Sequence, residues 1–182
     1  GIVLAITPFN DPLNLVAHKL GPAVAAGNSV ILKPATVTPL SGIKLVEAFV
    51  EAGLPAPVMQ VLTGYGAEIG DPLVKDPRIR MISFTGGVEV GRRIAGRIGY
   101  RRVVLELGGN DPLIVMDDAD LDEAASLAAS GSYRNSGQRC TAVKRILVQE
   151  TVADAFVDRL LELTRRWSYG NPMYESLEMG TV

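Results

Sequence analysis

The chain has 182 residues, 18 basic against 20 acidic side chains, and a hydrophobic fraction of 47%. The near-neutral balance excludes the polybasic footprint of a nucleic-acid binder, and the apolar share is enough for a substantial core. Pro, Gly, Asn, Lys or Asp interrupts every apolar run well short of the roughly 18–20 residues a membrane-crossing helix needs, so no membrane partner is expected.

In chain order, the opening run Gly1-Ile2-Val3-Leu4-Ala5-Ile6 has neither a basic lead-in nor an initiator methionine. It reads as a strand over 2–6 cut from something longer, not as a signal peptide. With one cysteine and no export signal, the expected compartment is the reducing cytosol. Asp11-Pro12 is a helix-start pair, with the aspartate as cap. The stretch behind it is apolar at Leu13, Val16, Leu20 and Val24 and ends at Gly27-Asn28, and Gly21-Pro22 within it predicts a kink or two shorter helices. A strand follows over 29–32, then a helix opened by Thr38-Pro39 and closed by Gly53. Strands over 58–62, 79–84 and 102–107 alternate with helices over 67–75 and 87–97. Short apolar strands alternating with helices indicate a doubly wound, Rossmann-like parallel sheet covered on both faces, over 1–108. After Gly109 the pattern restarts as a second α/β region over 109–182. It holds a strand over 112–116, a helix capped by Asp120, a strand over 142–149 and a helix capped by Thr151.

Doubly wound sheets bind ligands at the carboxyl ends of their strands. Asn10, Lys33, the glycines at 64 and 66, Thr85-Gly86-Gly87 and Glu106 all fall there. Gly87-Val88-Glu89-Val90-Gly91 is not a true GxGxxG, but a Thr-Gly-Gly turn between strand and helix offers backbone N–H groups to phosphate. Cys140, the single cysteine, cannot form an internal disulfide, so it is either a small core residue or a reactive thiol. Its neighbours Ser136-Gly137-Gln138-Arg139 and Thr141 are polar and small, which argues against core packing. His18 reads as packing or surface, and Asp117, Asp118 and Asp120 as a capping run. No His, Cys, Asp and Glu cluster has metal-ligand spacing, so no metal is expected.

Five runs in order, Thr7-Pro8-Phe9-Asn10, Ile31-Leu32-Lys33-Pro34-Ala35, Ser83-Phe84-Thr85-Gly86-Gly87, Leu105-Glu106-Leu107-Gly108-Gly109 and Ser136-Gly137-Gln138-Arg139-Cys140, closely resemble the aldehyde dehydrogenase superfamily. The resemblance implies an NAD(P)-dependent oxidation of an aldehyde to a carboxylic acid. Cys140 would attack the carbonyl to form a thiohemiacetal, hydride would pass to a nicotinamide, and water would hydrolyse the resulting thioester. Asn10, with the Cys140 amide, would steady the oxyanion; read alone, it is equally a turn residue before Asp11-Pro12. Glu106 would be the general base for deacylation, its pKa raised by desolvation at the end of an apolar strand; read alone, it is a partly exposed strand-end carboxylate.

By the same resemblance Lys33, Thr36, Gly66, Thr85, Gly86, Gly87, Leu107 and Gly108 bind NAD or NADP. Thr36 stands where many NAD-preferring members carry glutamate, so NADP should be tolerated. The nearest branches take phosphorylated or phosphonylated aldehydes, and Arg139 would bind that anion unless it forms a structural ion pair. Asp11 opposes an anionic substrate unless it is itself paired. Residues 109–182 would begin the catalytic domain of a longer, homo-oligomeric enzyme. The alternatives are a nucleotide-binding module without turnover and a relative that passes its acyl group to coenzyme A.

Overall fold

Valine, isoleucine and leucine fill the short apolar runs of the amino-terminal part, and such side chains pack well on a pleated surface. They form β1 (Ile2–Ile6), β2 (Ser29–Lys33), β3 (Met59–Val61), β4 (Ile79–Thr85) and β5 (Arg102–Glu106). In this computed structural model, which describes residues 1–180, all five pair in parallel in the order β3-β2-β1-β4-β5. The helices between them are α1 (Asn14–Ala25), α2 (Pro39–Glu51), α3 (Gly66–Lys75) and α4 (Val88–Ala95).

Alternate side chains of β1 leave on opposite faces, and two cores follow from that. Ala5 joins Val16 and Leu20 of α1, Val30 and Leu32 of β2 and Val46 of α2. Leu4 joins Val74 of α3, Ile79, Ile82 and Phe84 of β4 and Ile94 of α4. This is the expected doubly wound sheet, with one difference. β5, an edge strand, is covered on one face only: Arg102, Val104 and Glu106 are exposed while Val103 and Leu105 pack inward.

Gly27 and Gly53 end α1 and α2 as expected. At φ 70° and 101° each adopts a conformation that side chains rarely take, and the amides of Asn28 and Leu54 turn back to the carbonyls of Ala23 and Phe49. The start of α1 differs from expectation. Asp11 does not cap it; the residues behind Asp11 form a turn first, and its carboxylate accepts from Asn14 Nδ2 at 3.3 Å. Nor does Gly21-Pro22 divide the helix. Pro22 forfeits only its own N–H, the residue that loses that donor is the exposed His18, and Pro22's carbonyl still accepts from Ala26 at 3.0 Å.

The chain divides into two compact units, Gly1–Gly108 and a second beginning at Gly109. In the second, β6 (Asp111–Val115) and β7 (Val143–Val148) pair in parallel, with α5 (Leu121–Tyr133) and α6 (Ala153–Arg166) packed on one face. Asp120 caps α5 as expected, its Oδ1 accepting from the amides of Asp122 and Glu123 at 3.0 and 3.1 Å. Thr151 does not cap α6, because a 3-10 turn, Glu150–Val152, comes between. Phe156, 1% exposed, is the largest fully buried side chain of this core. Phe156→Ala should therefore cost about 3–5 kcal/mol of this unit's stability and Asp120→Ala about 1 kcal/mol. Urea unfolding followed through Trp167, the chain's one tryptophan, checks both values.

Candidate active site

The strand order reverses between β1 and β4, which places the carboxyl ends of these neighbours under chains that leave in opposite directions. Thr7-Pro8-Phe9-Asn10 leaves β1 there, with Asn10 half-buried, and Thr85-Gly86-Gly87 leaves β4. Phe84 lies directly beneath this second turn: a Cβ on Gly86 would come within 2.5 Å of its ring, so only glycine fits. A Cβ on Gly87 would meet nothing within 4 Å, leaving the backbone that enters α4 open to a ligand. The β4–β5 register sets Thr85 beside Glu106, and the Gly86 amide donates to the Glu106 carbonyl at 3.0 Å. Leu107 follows with its side chain against Gly91 of α4, where a Cβ would push the leucine aside, and Gly108 closes the turn in the open.

On the α3–α4 face a pocket of about 300 Å³ opens between the two helices and the ends of β1 and β2. Its walls are Gly66 and Gly70 of α3, Val90 and Ile94 of α4, and Ile6. The glycines lie one turn apart on one face of α3, and a Cβ on either would project into empty space. Lys33 enters from β2; it is 6% exposed, burial lowers its pKa, and its ammonium donates to the Pro34 carbonyl at 3.3 Å. Thr36 is exposed nearby in sequence, with its hydroxyl donating to the Gly64 carbonyl at 3.2 Å. A largely apolar slot of this size, with Lys33 in its lining, fits the heterocycle and ribose of a dinucleotide, so these residues could hold NAD or NADP.

The α1 face carries a different group. Lys19 falls beside Leu20 in the buried stripe of α1 and is 8% exposed. Its Nζ donates to Ser83 Oγ at 3.1 Å, and burial lowers its pKa against the opposing attraction of Glu106. Glu106 itself is exposed, so the desolvating surroundings expected for it are absent from this unit. Thr7 Oγ1 is buried without a hydrogen-bond partner among the described residues.

In the second unit Cys140 is exposed, as its polar neighbours imply. Asn135, Ser136 and Gly137 take φ values of 57°, 53° and 68°, three successive left-handed residues that turn the chain sharply after α5. Each non-glycine residue there costs roughly 1–2 kcal/mol, least for asparagine. Lys144 Nζ donates to the Arg139 carbonyl at 2.9 Å, and a Cβ on Gly109 would overlap the Cys140 carbonyl. Arg139, expected to face substrate, turns toward α5 in this structure. Its Nη2 donates to the Gly131 carbonyl at 2.8 Å, and its Nε is buried without a partner among the described residues. One Nη2 bond to Gly131 leaves other N–H groups of this guanidinium for an anion.

The sequence pattern of the aldehyde dehydrogenase family matches residues 1–182. The chain belongs to this family. It is 53% identical over 182 residues to the 3-sulfolactaldehyde dehydrogenase of Priestia megaterium, covering all of this chain and 38% of that protein. Over 172 residues it is 49% identical to the NADP-dependent glyceraldehyde-3-phosphate dehydrogenase of Streptococcus equinus, covering 94% of this chain and 36% of the relative. The crystal structure of the NADP-dependent glyceraldehyde-3-phosphate dehydrogenase of Bacillus halodurans, complexed with NADP, superposes with a TM-score of 0.96 at 52% identity. That match covers 100% of this chain and 38% of the other. The chain thus spans well under half the length of these relatives.

Against the family motifs, Lys19 is the residue that sequence reasoning passed over. The available signal was a lysine inside the apolar stripe of an otherwise core-facing helix. Among the described residues no group of three or more His, Cys, Asp or Glu could hold a metal, and no helix is long and apolar enough to cross a membrane.

Because burial lowers the pKa of Lys19, the unfolded chain binds more protons than the folded one on the alkaline side, up to the ordinary lysine value of 10.5. The destabilisation by Lys19 is therefore full below its folded pKa and fades as pH rises through that pKa toward 10.5. Lys19→Met should stabilise the amino-terminal unit by about 1 kcal/mol at neutral pH, with the gain shrinking as the medium becomes alkaline. Urea midpoints of both proteins across that range, read by circular dichroism, check the sign.

Proposed function

We propose that this chain supplies the nucleophile, the general base and the cofactor-binding surface of an NAD(P)-dependent aldehyde dehydrogenase that hydrolyses its thioester. The observation that carries the reading is Cys140, exposed at the end of a segment whose backbone is fixed by a left-handed turn, a close glycine contact and Lys144. Family membership over the whole length supports it.

In this reading the Cys140 thiolate attacks the aldehyde carbon, and the carbonyl oxygen takes up the displaced electron pair. The Asn10 side-chain amide and the Cys140 backbone N–H donate to that oxyanion, each worth about 3 kcal/mol to the barrier. Held by Lys33 and the slot between α3 and α4, NAD(P)⁺ would supply the hydride acceptor for collapse of the adduct. Cys140 is then acylated, and Glu106 takes a proton from the attacking water; the acid departs and the thiolate returns. Lys33 and the slot between α3 and α4 hold the adenosine half. Thr36 presents no carboxylate to repel a 2′-phosphate, so NADP is accepted.

Glu106→Gln should keep the first-turnover burst of reduced cofactor while lowering steady-state turnover by about 10²–10⁴. Cys140→Ala should abolish both phases. Reduction of cofactor by the Cys140→Ala protein on addition of aldehyde would overturn the reading.

We further propose a small aldehyde bearing an anionic group as substrate. The relatives named for 3-sulfolactaldehyde and glyceraldehyde-3-phosphate support this. Arg139 is the group that would meet the anion, and Asp11, engaged by Asn14, opposes it less than a bare carboxylate would. Arg139→Leu should raise KM for a phosphorylated or sulfonated aldehyde about tenfold or more and leave a neutral aldehyde unchanged. An equal loss on both, carried by kcat, would mean that the guanidinium serves only to hold the cysteine segment against Gly131.

A further inference from the structure

The slot between α3 and α4 is apolar in its walls but not at its rim. Asp71 of α3 and Arg93 and Arg97 on the α4 side themselves line the slot. Asp71 and Arg93 meet across the gap, Arg93 Nη2 to Asp71 Oδ2 at 2.9 Å, and Arg97 Nη1 approaches Asp71 Oδ1 at 3.4 Å. Side-chain exposures of 52% for Arg93 and 27% for Asp71 place the pair at the solvent edge of the slot. As a surface ion pair it contributes little to stability. Its place in the lining of the slot gives it another use.

A carboxylate can only accept hydrogen bonds, and a guanidinium can only donate them. Set side by side, they present an acceptor and a donor of fixed polarity. The hydrogen bond from Arg93 holds the Asp71 carboxyl below the usual carboxylate range, so the acceptor persists at neutral pH. Adenine offers the complementary edge, an amino donor at N6 beside the ring acceptor N7. A 6-oxo purine offers two acceptors there and turns its oxygen against the carboxylate.

We propose that Asp71 and Arg93 read the base of the nucleotide in this slot, selecting a 6-amino purine over a 6-oxo purine. The proposal rests on the reading of the slot as the site of the adenosine half of NAD(P). It adds base selectivity, exerted by two residues that none of the motifs above includes.

The test is calorimetric titration of the full chain with ADP and with IDP, which differ at position 6 of the base and in the proton that the 6-oxo form carries on N1. The chain should bind ADP about 10- to 100-fold more tightly, the range a well-formed two-point contact with a base supplies. Asp71→Asn, whose amide can rotate to offer either polarity, should still bind ADP and should bring the ratio close to one. Arg93→Met should weaken ADP while affecting IDP less. Asp71 and Arg93 lie at the surface, and circular dichroism of each variant verifies an intact fold. Equal binding of ADP and IDP by the wild-type chain, or an unchanged ratio in Asp71→Asn, would overturn base reading and leave the cofactor assignment standing. Failure of the wild-type chain to bind either nucleotide would overturn both.

Discussion

A parallel sheet buries both of its faces only if its crossover helices lie on both sides, and the amino-terminal unit meets that demand by reversing its strand order at β1. The chain leaves β1 toward α1 and leaves β4 toward α4, on opposite faces. No element can cover the carboxyl ends of both neighbours at once, so the turns after Ile6 and Thr85 stay open. The rest of the amino-terminal site depends on this one constraint. It exposes the backbone at Gly86 and Gly87, brings Glu106 beside Thr85, and leaves the space between α3 and α4 into which Lys33 projects.

Two buried lysines mark the two faces of that opening. Lys33 faces the slot, and Lys19, held by Ser83, faces the side where α1 packs. Each is buried and keeps one hydrogen bond, Lys19 to Ser83 Oγ and Lys33 to the Pro34 carbonyl. Burial lowers the pKa of both, so neither contributes to the fold what an apolar residue of its volume would. Their electrostatic setting differs. The described surroundings lower Lys33 by desolvation alone, whereas the attraction of Glu106 opposes the same effect at Lys19. A lysine coupled to an exposed carboxylate at a strand end responds to whatever changes the charge of that carboxylate, and a lysine stranded in an apolar slot responds to an incoming anion.

Much of the fold was legible because the dominant signals were local. Apolar runs of strand length separated by helical periods give the sheet, and Gly27 and Gly53 stop their helices because each must take a left-handed conformation. The failures share a cause: a local preference lost to packing. Asp11-Pro12 looks like a helix start, yet Val16 and Leu20 must meet Ala5, and the helix begins where that contact begins. Pro22 looks like a break, yet it removes one donor on the solvent side of a helix anchored through its other face. At the site, the sequence indicated which residues cluster at strand ends but not which way long side chains turn. Arg139 has the same identity whether it faces a substrate or the carbonyl of Gly131. The charge pair of Asp71 and Arg93 joins residues on separate helices and leaves no periodic trace.

The segment carrying Cys140 differs from these sites in how its position is determined. The contacts fixing its backbone come from the second unit itself: the left-handed turn after Tyr133, the approach of Gly109, the bond from Lys144 to the Arg139 carbonyl and that from Ser132 to the Val143 carbonyl. Tyr133 ties the end of α5 to α6 through Thr164 at 3.1 Å and meets the Trp167 ring edge-on at 5.7 Å, so the turn begins from a braced helix. A left-handed asparagine and serine in succession persist only where such surroundings outweigh their cost. These contacts, not the strain, hold the cysteine backbone in its turn. The amino-terminal unit supplies what a loop of this kind cannot: an apolar slot rimmed by fixed charges, and backbone N–H groups held open at a strand crossing.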